Sequence, residues 1–422
     1  MKFFVPDWDD RVDPNFDFST ERFSLDRDPY RDDVYAHELF DQRVYDGVLL
    51  SRSAIGESGP KRRLLDQVGV RRYLRLPEGV ELLGDCGAFG YVRDRDPRHV
   101  TDDVVDYYDR MGFDYGVSVD HLIVPEFESE RAYRYELTIR NAEEFLTLWR
   151  HGSHRFHPIG AIQGWDVPSY VEAARALSAM GYTYIAIGGL TRSTTRQVRE
   201  LVGGVMASLP SDMRVHVFGV ARPAVHEFFL DAGITSVDSA APLRQAWLSA
   251  TDNYYALKRT YAAIRIPIAD EERSRAKDTI LARSPLKEGG LRQLQAAERS
   301  ALKAVREYAQ GKGRIGSTLR ALMNYDRMLG ERLDAPKVSR REELYRQTLA
   351  DKPWRRCSCS ICRDLGVEVI LFRGNNRNRR RGFHNLYTFY SRLQELKHSR
   401  RDNVFVGQYT LEADFTAAAS PA

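Results

Sequence analysis

Short apolar runs alternate with amphipathic stretches between about residue 45 and residue 252. Two of the amphipathic stretches, Pro168–Met180 and Ala224–Ala232, carry apolar residues at helical spacing. Strands and helices that alternate this often predict an α/β fold, and seven or eight such units fit a (β/α)₈ TIM barrel better than an open sheet. The runs typical of buried strands are Gly47–Ser51, Glu81–Asp85, Tyr115–Val119, Pro158–Ile162, Tyr184–Ile187, Val215–Phe218 and Ser236–Asp238.

The pattern changes after about residue 252. Residues 254–345 are rich in Arg, Lys, Glu and Ala, and Leu291–Tyr308 and Thr318–Leu333 are predicted helices on either side of a glycine-containing loop. We therefore predict a barrel domain over residues 1–253, a helical insertion over 254–345, a C-terminal subdomain over 346–405 and a tail over 406–422. The insertion fits either a helical pair that packs on the barrel or an arm that contacts nucleic acid.

Composition narrows the class of protein. The 422-residue chain is 43% hydrophobic and 11% aromatic, which suffices for a large core and excludes a wholly disordered protein. No apolar run reaches the roughly 18–20 residues that cross a bilayer. The first residues turn acidic at Asp7, without the apolar stretch of a signal peptide. We expect a cytoplasmic protein, and four cysteines are too few for a disulfide framework.

Charge is segregated along the chain, although the formal net charge is only +4. Residues 1–50 hold 13 acidic and 6 basic side chains, whereas residues 351–402 hold 13 basic and 5 acidic ones. Because arginine makes bidentate, always-charged contacts, the arginine-rich part of the basic segment predicts a loop that contacts nucleic-acid phosphates. A solvated surface is the alternative. The arginines of this loop are Arg373, Arg377, Arg379, Arg380 and Arg381.

Three of the four cysteines are clustered. Cys357, Cys359 and Cys362 form a Cys-x-Cys-x-x-Cys turn, and His384 follows at the predicted start of a helix. Three thiolates and one imidazole complete the four-coordinate shell of a structural zinc site. The pattern predicts a closed, structural Zn²⁺ site in the C-terminal subdomain. The alternative is three reduced thiols beside a core histidine.

Several predicted strands end in a polar or glycine residue: Asp85, Asp120, Gln163, Gly188-Gly189 and Asp238. Functional residues of a barrel lie at the carboxyl ends of its strands, so we expect these residues to share one pocket. Two carboxylates that face one pocket are the minimum for displacement at an anomeric carbon, one as nucleophile and one as proton shuttle. Spacing alone does not distinguish a glycoside hydrolase from a base-exchanging enzyme.

Taken together, these motifs resemble the tRNA-guanine transglycosylase superfamily. The family's Asp-Ser-Gly-Gly-Phe/Tyr-Gln motif is similar to Asp85–Gly90, and its nucleophile motif Gly-Ile-Asp-x-Phe-Asp is similar to Gly233–Asp238. Its Val-Gln-Gly and Gly-Gly-Leu motifs are similar to Ile162–Gly164 and Gly188–Leu190, and its zinc motif resembles the cysteine cluster with His384. The resemblance covers most of residues 45–250 and 350–395, with the motifs in family order.

This resemblance implies a base exchange at C1′ of a guanosine-type nucleotide. Asp238 would be the nucleophile that holds the sugar as a covalent ester. Asp85 would be the general acid/base that protonates departing guanine and deprotonates an incoming 7-deazaguanine. The implied base-binding residues are Asp120 and Gln163 for the Watson–Crick edge and ring nitrogens, Gly188, Gly189 and Leu190 for the exocyclic group or 7-substituent, and Phe89 and Phe218 for a sandwich around the base.

Some positions depart from the family pattern. Gly90 replaces the Gln of the first motif, and Phe218 stands where the family usually has Met. The opening segment Phe3–Pro14 and the segments around Asp85 and Asp120 are similar to the branch of the family that modifies DNA. Membership of this branch implies exchange of guanine in DNA for 7-cyano-7-deazaguanine, beside companion proteins of a DNA-modification system. The family also often pairs through its zinc region, which implies a homodimer.

Three alternatives stay open at this point. The first is the same exchange on tRNA, because no residue can be assigned to reading the sugar 2′-hydroxyl that separates RNA from DNA. The second is a catalytically inactive, zinc-containing nucleic-acid-binding protein, which the presence of both Asp85 and Asp238 disfavours. The third is a hydrolytic enzyme that releases guanine and needs no replacement base.

Overall fold

The computed structural model describes residues 1–55, 59–269, 290–329 and 335–417. Residues 270–289 of the predicted insertion, residues 330–333 of the predicted helix Thr318–Leu333 and residues 418–422 of the predicted tail lie outside the described residues. The chain forms two compact units, one of residues 1–9, 45–240 and 393 onward, the other of residues 10–44 and 241–392. Within the described ranges, no helix has the length and apolar character needed to span a bilayer.

Eight parallel strands of the first unit close into a barrel. Each strand pairs with the next along the chain, and the last returns to the first, with Lys2 opposite Ser236 and Phe4 opposite Asp238. The predicted (β/α)₈ barrel is confirmed. The strands are β1 (Lys2–Pro6), β2 (Gly47–Ser51), β3 (Glu81–Asp85), β4 (Tyr115–Val117), β5 (His157–Ile162), β6 (Tyr184–Ile187), β7 (Arg214–Val217) and β8 (Ser236–Asp238).

The apolar pattern along the chain predicts the other seven strands but not β1. Its five residues stand before a long acidic segment and acquire partners only when the barrel closes on β2 and β8. Inward side chains from most of the strands then form one buried cluster, namely Phe4, Leu49, Leu83, Val117, Ile159, Ala161, Tyr184 and Ala186. The helices of this unit are α1 (Arg52–Ile55), α2 (Pro60–Val68), α3 (Val70–Tyr73), α4 (Thr101–Met111), α5 (Arg131–His151), α6 (Val167–Met180), α7 (Thr195–Ser208) and α8 (Pro223–Asp231).

Two glycines allow α4 to pack closely on the strands that lead to the predicted site. A Cβ at Gly84 or at Gly116 would overlap the buried ring of Tyr108 on α4. The Tyr108 hydroxyl also donates a hydrogen bond to the Val117 carbonyl at 3.1 Å. Since β3 ends at Asp85, one residue beyond Gly84, this contact helps to fix the position of that carboxylate.

The described part of the second unit is mostly helical and contains two small sheets. Tyr254–Tyr255 (β9) pairs antiparallel with Thr260–Tyr261 (β10), and Ile264–Arg265 (β11) pairs with Leu371–Phe372 (β12). The predicted helical insertion therefore begins with short strands. The helices are α9 (Ala241–Leu248), α10 (Gly290–Ala309), α11 (Ile315–Met328), α12 (Ala335–Asp351), α13 (Pro353–Arg356), α14 (Ser360–Leu365) and α15 (Asn375–Ala417), the last of which continues into the first unit.

The unit boundaries differ from the predicted domains. Residues 10–44, which the pattern assigns to the barrel domain, group with the second unit. Residues from Leu393 on, predicted as part of the C-terminal subdomain and tail, group with the first unit. Within the second unit, Glu21 of the 10–44 segment contacts Arg373 and Arg377, which are encoded far along the chain.

Those contacts correct the prediction of a phosphate-binding arginine loop. From Asn375 on, the segment forms the first turns of α15, so that His384 lies within this helix and does not open it. Arg377 and Arg381 are 1% and 0% exposed, and Arg373 and Arg380 are also buried. The charge of these four side chains is therefore turned inward, and they do not form a positive surface for phosphates.

Acidic side chains of the same unit neutralise two of these arginines. Glu21 accepts hydrogen bonds from Arg373 Nε at 2.9 Å and from an Arg377 terminal nitrogen at 2.5 Å. Glu298 pairs with Arg373 at 2.7 Å, and Glu368 pairs with Arg377 at 2.7 Å. Burying a charge costs free energy unless the charge is paired. Glu21 of the 10–44 segment therefore stabilises the start of α15 by pairing with Arg377, and with Arg373 just before the helix.

The remaining arginines of the predicted loop bond to backbone carbonyls. Arg380 donates to the Asp13 carbonyl at 2.8 Å, and the half-buried Arg379 donates to the Arg11 carbonyl at 2.9 Å. Arg381 donates to the Leu371 carbonyl at 3.0 Å, among other carbonyl oxygens. These bonds satisfy guanidinium donors that would otherwise be stranded inside the unit.

Candidate active site and metal centre

The barrel brings the predicted carboxylates to the carboxyl ends of its strands. Asp85 ends β3, Asp238 ends β8, and Asp120 follows β4 by three residues. Gln163 directly follows β5. The charges of Asp120 and Asp238 both act on Asp85, so the three carboxylates share one electrostatic environment.

Asp85 has an environment that favours its neutral form. Burial raises the pKa of this carboxyl to about 7, and the neighbouring charges of Asp120 and Asp238 act in the same direction. Hydrogen bonds from the Gly87 backbone N–H and from the Ser51 hydroxyl oppose the shift without cancelling it. A carboxyl that titrates near neutral pH can donate a proton in one step and accept one in the next.

The turn after β7 shapes the contacts of Asp238, which is 6% exposed. Gly219 has a φ of +68°, a conformation that side chains disfavour, and its N–H donates to Asp238 Oδ1 at 2.8 Å. His216 Nε2 lies 3.1 Å from the same oxygen. Oδ1 is thereby held from two sides.

Asp120 and Gln163 form a buried, hydrogen-bonded pair. Gln163 Nε2 donates to Asp120 Oδ2 at 2.6 Å, and the Cys86 thiol donates to Oδ1 at 3.0 Å. Burial raises the pKa of Asp120, and the hydrogen bonds from Cys86 and Gln163 oppose that shift. Gln163 Oε1 is buried and accepts no hydrogen bond from the described residues. An acceptor in this position fits a donor group on a bound ligand.

The segment after β6 packs its backbone against Gln163. A Cβ at Gly188 would overlap the Gln163 amide, and Gly189 has a φ of +79°. The Tyr170 hydroxyl donates to the Gly188 carbonyl at 2.9 Å, and Leu190 is buried. These contacts place the predicted Gly-Gly-Leu backbone beside the amide of Gln163.

The two aromatic residues of the predicted base sandwich have different surroundings. Phe218 is half-buried, and its ring meets the His216 ring edge-on with centroids 4.6 Å apart. Phe89 lies in a short 3₁₀ helix, Ala88–Tyr91, and is 64% exposed. Their joint contact with a base stays a prediction.

The sequence motifs do not identify His216 and Gly219, which both contact Asp238. The signal for His216 was a single polar residue at an inward position of the apolar run Val215–Phe218. A positive φ at Gly219 could not be read from the sequence, because the residue type permits it but does not require it.

The predicted zinc ligands meet within the second unit. One ligand atom from each of Cys357, Cys359, Cys362 and His384 lies within 4.8 Å of all the others. His384 Nδ1 is 3.5, 3.5 and 3.3 Å from the three sulfurs in chain order. Three sulfurs and one imidazole nitrogen at these distances fit a tetrahedral metal ion.

Neighbouring groups orient this cluster. His384 Nε2 lies 2.7 Å from the Tyr255 carbonyl, which accepts its hydrogen and leaves Nδ1 as the ligand atom. The Tyr254 ring stacks on the His384 imidazole with centroids 4.1 Å apart, and its hydroxyl lies 3.2 Å from Cys362 Sγ. The histidine is therefore held in its ligating orientation by the residues of β9.

Comparisons with known proteins match part of the barrel in one case and nearly the full chain in another. The family described as "Queuine tRNA-ribosyltransferase" (TGT) matches residues 94–281. A "DNA-guanine transglycosylase" of Salmonella montevideo is 37% identical over 415 residues, covering 93% of this chain and 97% of that protein. A "tRNA-guanine(15) transglycosylase" of Thermococcus onnurineus is 28% identical over 46% of this chain and 34% of its own length. The protein of that name from Pyrococcus abyssi is 28% identical over 42% and 30%.

Proposed function

We propose, from the premise that this chain belongs to the tRNA-guanine transglycosylase family of base-exchanging glycosyltransferases, that it replaces guanine in DNA with 7-cyano-7-deazaguanine. The choice of DNA is supported by 37% identity over nearly the full length to a relative named for DNA. The relatives named for tRNA match less than half of the chain. The chemistry is supported by two carboxyl groups in different surroundings. Burial raises the pKa of Asp85 to about 7, and a hydrogen bond from the Gly219 N–H holds one oxygen of Asp238.

In the first half-reaction, Asp238 acts as the nucleophile. Its Oδ2 attacks C1′ of the target nucleotide and forms an ester bond as the C1′–N9 bond to guanine breaks. The neutral Asp85 gives its proton to the departing guanine, so the base leaves uncharged and Asp85 becomes a carboxylate. A pKa near 7 suits this transfer, because about half of the groups carry the proton at neutral pH.

In the second half-reaction, the roles of the two carboxyl groups reverse. The Asp85 carboxylate removes the N9 proton of the incoming 7-deazaguanine, whose N9 then attacks C1′. The C1′–O bond breaks and its electron pair returns to Asp238 as a carboxylate. Asp85 is protonated again, so the site is ready for another turnover and needs no other proton donor.

Recognition of both bases is assigned to the buried pair and the backbone beside it. Asp120 accepts hydrogen bonds from the Watson–Crick edge, and Gln163 contacts the ring through the acceptor that has no partner among the described residues. Gly189 and Leu190 offer backbone groups to the exocyclic oxygen or the 7-substituent. Phe89 and Phe218 contact the faces of a base that has left its stack.

The Cys₃His cluster is proposed to hold Zn²⁺ in a structural role. Its three cysteines and one histidine match the donor set that zinc prefers, and four protein ligands leave no open position for a substrate. Bound zinc would cross-link the turn of Cys357–Cys362 to helix α15. It takes no part in the exchange.

The experiment that tests this function is a base-exchange assay on two nucleic acids. Duplex and single-stranded DNA with labelled guanine, and a tRNA labelled in the same way, are incubated with and without 7-cyano-7-deazaguanine. We expect repeated release of guanine from DNA, beyond one equivalent per enzyme, only when the replacement base is present, and a covalent enzyme–DNA adduct on a denaturing gel. Asp238→Asn should form no adduct. Exchange on tRNA with none on either DNA would overturn the proposal, and guanine release beyond one equivalent per enzyme without a replacement base would indicate a hydrolase.

A further inference from the structure

A chain of buried polar groups leads away from Asp238 into the barrel. His216 Nε2 lies 3.1 Å from Asp238 Oδ1, and His216 Nδ1 lies 2.6 Å from the Ser236 hydroxyl. That hydroxyl is in turn 2.6 Å from the Tyr184 hydroxyl. His216 and Ser236 are 0% exposed, and Tyr184 is buried as well.

Strand geometry explains why these groups meet. Ser236 and Asp238 are two residues apart on β8, so both point to the same side of the strand. His216 on β7 lies directly opposite Ser236 in the parallel pairing. Edge contacts from Phe218, at 4.6 Å, and from Phe4, at 6.1 Å, hold the imidazole ring between them.

The direction of the hydrogen bonds follows from the carboxylate form in which Asp238 would act as a nucleophile. A carboxylate only accepts, so the proton of a neutral imidazole must lie on Nε2 and point at Asp238. Nδ1 then accepts from Ser236, whose oxygen accepts from Tyr184. Burial raises the pKa of Tyr184, which keeps it a phenol donor. Each donor thus has one acceptor, and the imidazole is restricted to one tautomer.

This arrangement makes the two oxygens of Asp238 different. Both hydrogen bonds that Asp238 accepts from the described residues, from Gly219 N–H at 2.8 Å and from His216, end on Oδ1. Oδ2 is therefore the oxygen left to react. A donor on Oδ1 stabilises the negative charge of the free carboxylate more than it stabilises the neutral ester.

We propose that His216 is a positioning residue that presents Oδ2 of Asp238 to C1′ and stabilises the carboxylate when it leaves in the second half-reaction. The inference rests on the proposed base exchange. In that half-reaction the C1′–Oδ2 bond breaks, its electron pair becomes the carboxylate charge, and the new bond forms between C1′ and N9 of the incoming base. Ser236 and Tyr184 act through His216 by fixing its tautomer.

The consequence is an unequal effect on the two half-reactions. Without the Nε2–H donor, the free carboxylate is destabilised more than the partly charged transition state, so this electrostatic effect does not slow ester formation, which loses only the positioning of Oδ2. Ester cleavage starts from a neutral state and must develop the charge, so it slows. Loss of a hydrogen bond to a charged group corresponds to a rate change of roughly 10- to 100-fold.

The test compares His216→Phe with His216→Gln in single-turnover experiments. Adduct formation is followed after mixing enzyme with labelled DNA, and adduct breakdown is followed after adding 7-cyano-7-deazaguanine. For His216→Phe we expect breakdown to slow by roughly 10-fold or more and formation by less, so that adduct accumulates at steady state. The Gln amide reaches about as far as imidazole Nε2, and it should restore breakdown to within about threefold of wild type.

The outcomes separate this inference from the proposed function. Equal slowing of both steps by His216→Phe, or no rescue by Gln, would mean that the residue only maintains the fold. If the wild-type protein forms no adduct and exchanges no base, the proposed function itself is wrong. Circular dichroism reports whether each variant folds. If His216→Phe does not fold, Ser236→Ala is the decisive variant. Loss of the Nδ1 partner must lower the ratio of the adduct-breakdown rate to the adduct-formation rate, by a smaller factor than His216→Phe is expected to.

Discussion

Replacing Asp85 by asparagine should remove most of the exchange activity and yet stabilise the folded protein at alkaline pH. Asparagine has nearly the same shape but never ionises, so it cannot shuttle a proton. General acid–base catalysis contributes about 10²- to 10⁴-fold, and we expect exchange to fall by that factor. The gain in stability arises because the wild-type carboxylate is costly to bury beside Asp120 and Asp238.

The size of that gain follows from the pKa of Asp85. The folded protein raises this pKa from 3.8 to about 7. Three units at 1.36 kcal/mol each set an upper limit of about 4 kcal/mol for the cost of ionising the group in the folded state. Because the side chain keeps partial exposure, which reduces the cost, we expect Asp85→Asn to raise the free energy of unfolding by about 1–4 kcal/mol at pH 8.

The sign of the pH dependence is fixed by the direction of this shift. Below about pH 4 the carboxyl is protonated in both the folded and the unfolded protein, so its ionisation does not change the free energy of unfolding. As the pH rises from about 4 to about 7, the unfolded chain ionises before the folded protein does, and wild type loses stability. Above about pH 7 the loss is complete. The variant lacks the group and therefore lacks this loss.

The assay is urea denaturation of wild type and Asp85→Asn at pH 5 and pH 8. Asp212→Asn, a change of an exposed carboxyl between α7 and β7, is the matched control and should behave as wild type at both pH values. Other pH effects, including any on the Cys₃His cluster, cancel in the difference between variant and wild type. If that difference is no larger at pH 8 than at pH 5, Asp85 has no raised pKa and the reasoning about its acid role fails.

Three further outcomes are expected. Glu21→Gln should lower the free energy of unfolding by about 1–3 kcal/mol because it weakens the contacts with Arg373 and Arg377, which keep Glu298 and Glu368 as partners, whereas exposed Asp26→Asn should not; equal urea midpoints would contradict this. Gly87→Ala should lower the free energy of unfolding by about 1–3 kcal/mol and should also lower the exchange activity. The reason is that φ is +89° at this position and a Cβ would overlap the Ser53 hydroxyl; a fully active and stable variant would refute this strain. Chelation should lower the temperature of thermal unfolding, and Zn²⁺ but not Mg²⁺ should restore it; an unchanged unfolding curve would count against a structural metal.

The barrel and the position of its site could be predicted because both depend on local patterns. A parallel strand shows itself as a short apolar run, and a closed barrel brings all carboxyl ends to one face whatever the loops contain. Asp85 and Asp238 could therefore be placed together from their positions at strand ends. The metal ligands were predictable for a similar reason, since three of them lie within one turn of chain.

The arginine-rich segment shows why a prediction from neighbouring residues in the sequence can be wrong. Five arginines in nine residues looked like a solvated or phosphate-binding loop, because no acid lies among them. Their acidic partner Glu21 is 352 residues from Arg373 and 356 from Arg377 along the chain. A pairing over that distance is made by the fold alone. The acidic start and the basic end of the chain thus partly neutralise each other inside one unit.

The sequence by itself determined seven of the eight barrel strands, which carboxylates end them and which four residues can bind a metal. Only the tertiary structure decided how Asp85 titrates, which oxygen of Asp238 is left to react and which arginines are withdrawn from solvent. The physical reason is that the energy of a charge depends on its exposure to water and on the groups within a few ångströms. Those groups come from segments that are remote along the chain, as His216 and Gly219 are from Asp85.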